Sequence, residues 1–204
     1  MGWADRLIQP RSGRIGWREG WGILIDDLVA AGFDLAIRIG ELDDSSLVAR
    51  RLADNKRVLC ASPGYLAAHG RPRTPAELVE HQCLVLATRN GRVDQWRLTD
   101  RKGQETTVRV QGRVESNQGE LLRDAAVAGL GIAQHSIWHI HEDLRAGRLE
   151  VVLPTHRLPD TGIHAVMPQR RLVPPRVRAF VDFMAKELGD VPPWERRRAV
   201  PRKG

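Results

Sequence analysis

The chain of 204 residues is long enough for one large domain or two small lobes, and 42% hydrophobic with 28% charged residues is an ordinary globular composition. No apolar run approaches the roughly 20 residues of a membrane-spanning helix, and no signal peptide opens the sequence, so no membrane contact and a cytoplasmic location are expected. The net charge of +7 invites a nucleic-acid reading, but much of the excess sits at Arg6, Arg11, Arg14 and Arg18 and again at Arg196, Arg197, Arg198, Arg202 and Lys203, where basic tails are commonly solvated; specific DNA binding by this chain is not expected.

Residues 1–22 carry Gly2, Gly13, Gly16, Gly20 and Gly22 beside Trp3, Trp17 and Trp21, with no period of 2 or 3.6. Helical spacing begins at Ile23, Leu24, Leu28 and Ala31, and Gly32 stops it. A buried strand is predicted over 33–37, ending at Gly40, then short strands over 47–52 and 57–61. Ser62 as N-cap and Pro63 in the first turn open a helix that Gly70 ends. Thr74, Pro75 and Glu77 repeat the device as a capping box.

Strands follow over 83–87, around Trp96, and over 106–114, with a hairpin turn at 99–103. Leu121, Leu122, Ala125 and Ala126 stripe a helix over 120–128; a very short strand at 130–133 leads to a helix over 136–144. Strands over 149–153 and 163–167 precede a closing helix over 175–188, whose face of Val177, Phe180, Val181, Met184 and Leu188 returns the chain to the lobe where it began. Strands alternating with such helices predict an α/β fold with parallel pairing and a ligand crevice beyond the carboxyl ends of strands. Cys60 and Cys83 lack metal-ligand spacing and read as small buried hydrophobes.

In this order the segments FDLAIRIG, DSSLVARRL, VLCASPGYLAAHG, RTPAELVEHQCL, SNQGELLRDAAVAGLGIA, EDLRAGRLEVVLP and HAVMPQRRLVPPRVRAFVDFM resemble the C-terminal effector-binding (substrate-binding) domain of LysR-type transcriptional regulators, over about residues 23–188. The resemblance implies a periplasmic-binding-protein-like (type 2) α/β fold: two lobes with a ligand cleft, joined by crossovers near 58–61 and 153–163. The first lobe would comprise 23–61 and 160–189 and the second 62–159, between an irregular, non-family-like start over 1–22 and a basic disordered tail over 190–204. The family's helix-turn-helix and the opening elements of its first lobe find no counterpart in residues 1–22. The expectation is an N-terminally truncated product with an incomplete first lobe, an unpaired strand edge and poor solubility.

The resemblance also implies a small organic effector, anionic or aromatic, between the lobes. Its candidate contacts are strand ends and helix starts, where free N–H groups favour anions: Arg38, Ile39 and Gly40; Ser62 and Pro63; Asn117, Gln118 and Gly119; and Gln134, His135 and Ser136. Against this, Ser62 is first a cap, Gly119 a turn residue, and Arg38 a partner for Asp34, Asp43 or Asp44. The family commonly has proline at Ser136 and apolar residues at Gln134 and His135. His135 and His139 stand four apart on a helix face as paired zinc ligands do, but no Cys joins them and no metal site is expected. No nucleophile with a positioned base and no phosphate-cradling loop emerge, so neither catalysis nor a cofactor is expected. The alternative to an effector-binding domain is an interaction module or degenerate fragment that forms homo-oligomers or joins full-length regulators through the family's dimerising surface.

Overall fold

The computed structural model describes residues 34–40, 47–88, 91–168 and 173–196. The start over 1–22, the helix expected over 23–31 and the loop with Asp43 and Asp44 lie outside the described residues. In chain order come β1 (Ala36–Gly40), β2 (Leu47–Asn55), β3 (Arg57–Ala61), α1 (Pro63–His69), a 3-10 helix (Pro75–Glu80), β4 (Cys83–Thr88) and β5 (Gly91–Val93). Then follow β6 (Gln95–Thr99), β7 (Glu105–Arg109), β8 (Glu115–Ser116), α2 (Gly119–Val127), β9 (Ile132–Ser136), α3 (Ile137–Arg145), β10 (Glu150–Val152), β11 (Thr161–Pro168) and α4 (Pro175–Leu188).

Local signals set several of these bounds. The Ser62 hydroxyl accepts the Tyr65 N–H at 3.2 Å, Pro63 occupies the first turn of α1, and Gly70 at φ 84 ends it. The Thr74–Glu77 device closes differently from a capping box. Glu77 accepts from the Arg73 N–H at 2.9 Å and from the Thr74 hydroxyl at 2.9 Å, and the helix it starts is a 3-10 turn.

The first sheet has the order β1-β11-β2, with both pairings antiparallel. Ile163, Ala165 and Met167 alternate along β11 and point one way, as the pleat requires, and Val177, Val181, Met184 and Leu188 of α4 pack in the same core. A bulge between Ile163 and His164 lets both Leu52 and Ala53 reach that core. Among the described residues β1 has a strand partner on one side only.

The second sheet runs β10-β3-β9-β4-β5, with β8 beside β4. Alternation along β3 sends Leu59 and Ala61 to one face and Cys60 to the other. The first face is covered by Tyr65 and Leu66 of α1, Leu78, and Trp96, Leu98 and Val108 of the β6–β7 hairpin. Leu122, Ala125 and Ala126 of α2 and Ile140 of α3 cover the second. Both cysteines are wholly buried, which pushes each thiol up to about 12.

Pairing is mixed rather than parallel: β4 runs parallel to β8 and β9, while β3 runs antiparallel to both its neighbours. The reason is that β3 enters this sheet directly from the other one, with Lys56 alone separating it from β2, instead of arriving through a helical crossover. Because β3 pairs only within the second sheet, the outgoing crossing lies at Lys56 and not over 58–61. The return crossing runs beside it. Asn55 faces Thr161 across the β2–β11 register and donates to its hydroxyl at 2.8 Å, and both side chains are buried; Arg57 donates to the Pro159 carbonyl at 3.1 Å.

The tail also differs from expectation in its first residues. Gly189 at φ 51 turns the chain back, and Trp194 is buried in the first core with 4% of its surface exposed. One apolar residue in a Pro- and Arg-rich segment has no periodicity to reveal it.

Candidate functional site

The geometry of the second sheet gathers several chain ends beside Lys56. Arg57 begins β3 opposite Ser136, the last residue of β9. Since β4 and β8 are parallel to β9 and to each other, their carboxyl ends lie at the same side. Both α2 and α3 start there, after Gln118 and Ser136. Their first N–H groups and positive dipole ends therefore converge where the chain crosses between sheets.

A small recess of about 40 Å³ opens here, lined by Arg57, Leu86, Trp96 and Leu122 together with four of the sequence candidates, Gly119, Gln134, His135 and Ser136. Sequence reasoning missed Arg57, which read as the start of an ordinary buried strand. Its position one residue beyond a strand break, with a charge ahead of an apolar run, was the available signal.

The polar residues here divide by role. His135 is 5% exposed, and its Nε2 lies 2.9 Å from the Gly119 carbonyl, so Nε2–H donates. Burial, then the neighbouring His139, pushes its pKa down to about 4. The neutral ring thus pins β9 to the first residue of α2. Ser136 is also buried and caps α3 without a side-chain hydrogen bond to it. Gln134 is half-buried, while Asn117 and Gln118 are exposed at the start of α2, where the Ser116 hydroxyl accepts the Gln118 N–H at 3.0 Å. Residues 134–136 belong to β9 itself rather than following a shorter strand.

Arg38, Ile39 and Gly40 lie on the first sheet, in the half of β1 nearest the crossing, since Gly40 pairs with Gly162 beside Thr161. Ile39 packs against the α4 core. Arg38 stands opposite His164, which stands opposite Arg51, so three basic side chains form one row across the sheet. Arg176, not Arg38, pairs with Asp34, at 2.8 Å. Ser62 and Pro63 are not brought to the recess: they follow the far end of β3, about 16 Å from Arg57 at the usual strand rise. They line a separate depression with Gly129 and Arg148.

His135 and His139 approach edge to face with ring centroids 4.7 Å apart. The Gly119 carbonyl engages His135, and Glu120 lies 3.7 Å from His139. Among the described residues no three His, Cys, Asp or Glu side chains gather to hold a metal, and no helix is long and apolar enough to cross a membrane.

Two mixed α/β units joined by two adjacent crossings define a periplasmic-binding-protein-like fold of type 2. Solved structures similar to it include CrgA of Neisseria meningitidis, with a TM-score of 0.72 and 34% identity over 83% of this chain and 57% of that one. Full-length AphB of Vibrio cholerae gives 0.68 and 31% over 80% and 55%. Residues 14–189 match the LysR substrate binding domain, and the chain belongs to that family. Among curated proteins it is 37% identical to the HTH-type transcriptional regulator DmlR of Escherichia coli K12 over 164 residues, 80% of this chain and 53% of that protein. The chain spans about half the length of the curated relatives it matches. These relatives are named as regulators, not enzymes.

Proposed function

We propose that this effector-binding domain takes a small organic anion at the crossing, between the α2 and α3 N-termini of the second sheet and the Arg38 end of the first. The observation that carries this reading is the recess holding Arg57, Gly119 and Gln134 beside two helix starts, next to a two-stranded crossing. Oriented N–H groups and guanidinium forks suit carboxylates. The neutral, already engaged His135 would shape the wall rather than supply charge. A ligand contacting both sheets would favour their closed arrangement, and in a longer cytoplasmic regulator that change would be passed to a DNA-binding segment.

Isothermal titration of the chain with a panel of small aliphatic and aromatic mono- and dicarboxylates tests it. At least one acid should bind, and Arg57→Met should weaken it about tenfold or more, the scale of a lost charge-assisted hydrogen bond. Failure of every acid, or unchanged affinity in Arg57→Met, would remove the proposal. The pairing of β1 on one side only among the described residues favours a second reading, association with another copy or with a full-length regulator. Co-purification with a full-length regulator, alongside the titration, separates the two.

A further inference from the structure

The family match ends at residue 189, yet the described chain continues to Arg196 in a segment that touches Lys56 and both α3 and α4. Trp194 is buried in the core of the first unit, which also holds Leu52, Met184 and Leu188 and against which Ile137 and Trp138 at the start of α3 pack. Glu195 accepts from Lys56, the residue between β2 and β3, at 2.6 Å. Arg145, at the end of α3, donates to the carbonyls of Trp194 at 3.4 Å and Arg196 at 3.1 Å. Arg196 turns back to donate to the carbonyls of Val191 at 2.9 Å and Glu187 at 3.0 Å, fixing the segment to the end of α4.

We propose that residues 190–196 form a strap that fixes the two sheet units across the crossing, so that bending at Lys56 requires the strap to release. Its anchor points belong to different bodies: α4 and β2 on the first sheet, Lys56 on the crossing, and α3 on the second. Bending about Lys56 moves α3 relative to α4, and the Arg145 and Trp194 attachments cannot both persist through it. The strap thereby sets the resting arrangement that a ligand has to change, whichever ligand that is. Its weakest links are polar and partly solvated, so release costs little compared with unfolding either unit.

Distance measurement between spin labels tests this in the full chain. Lys102→Cys on the β6–β7 turn and Arg178→Cys on α4 place one exposed label on each unit, and native Cys60 and Cys83 are buried beyond labelling. The unaltered strap should give one narrow distance distribution. Arg145→Met combined with Glu195→Gln should broaden it and add new distances, with little change in melting temperature. Trp194→Ala should broaden it further. Identical distributions in all variants would overturn the strap. Should Trp194→Ala fail to fold, the Arg145→Met, Glu195→Gln protein still decides. Titration with carboxylates does not enter this readout, so the strap and the ligand proposal fail separately.

Discussion

Asp143 is fully buried between α2 and the turn after α3. It is held by Arg123 through Nε at 2.6 Å and Nη2 at 3.1 Å, and by Arg148 Nε at 2.7 Å. Burial works to raise its pKa, but the hydrogen bonds and charges of Arg123 and Arg148 prevail and hold it below the usual carboxylate range. Asp143→Ala strands both guanidinium groups and should cost about 3 kcal/mol in urea denaturation, the low end for a broken buried pair because Arg148 is half-exposed. His135 supplies a pH dependence of definite sign. Its folded value lies near 4 against an ordinary 6.5, so the unfolded chain takes up the proton first as pH falls. The stability due to its neutral burial is complete above pH 6.5 and is lost between about 6.5 and 4, on the order of 3 kcal/mol in all. His135→Gln should flatten that part of the stability profile measured from pH 8 to 4. The buried pairing of Asp143 with Arg123 could not be read from sequence, because the two stand 20 positions apart on different helices and each looks like a solvated surface charge.

At the scale of elements, two glycines make opposite predictions. A Cβ on Gly112 would sit 1.9 Å from the Cys83 carbonyl oxygen, where the chain crosses the start of β4 and no flexible side chain can yield. Gly112→Ala should therefore destabilise by about 3 kcal/mol or more. Gly64, in the first turn of α1, has open space around its absent Cβ and an ordinary helical backbone. Gly64→Ala should stabilise by about 0.5 kcal/mol, and thermal melts of both variants check the pair. Elements whose ends carry their own chemistry were legible in the sequence. The Ser62, Pro63 and Gly70 signals bounded α1, and the face of Val177, Val181, Met184 and Leu188 matched α4 from Pro175 to Leu188. The strand through Gln134, His135 and Ser136 was not, since His135 is buried and bonded to the Gly119 carbonyl of α2, which packs against the strand from elsewhere in the chain. The candidate site was half legible for the same reason. Chain ends pointed to Gly119 and 134–136, while the distance of Ser62 from them depended on which way β3 ran.

For the whole molecule, the one-sided pairing of β1 bears on solution behaviour. Among the described residues no strand lies on its other side, and the apolar side chains of Ile37 and, across the same sheet, Val48 are exposed. Concentration-dependent self-association should follow, and Ile37→Lys should reduce it in sedimentation velocity because a charge on an edge strand opposes edge-to-edge pairing. The crossing itself has a mechanical meaning. With trans-planar peptides, the single residue Lys56 leaves only its own φ and ψ as soft torsions between β2 and β3. The return path is held to the second unit as far as Leu158, since Arg157 and Thr99 exchange backbone hydrogen bonds at 2.8 Å and Leu153 and Leu158 are buried in its core, so only Pro159 and Asp160 remain between that unit and β11. The joint therefore behaves as a near single-axis linkage, and the direction in which the two units can approach each other is written into one residue's backbone.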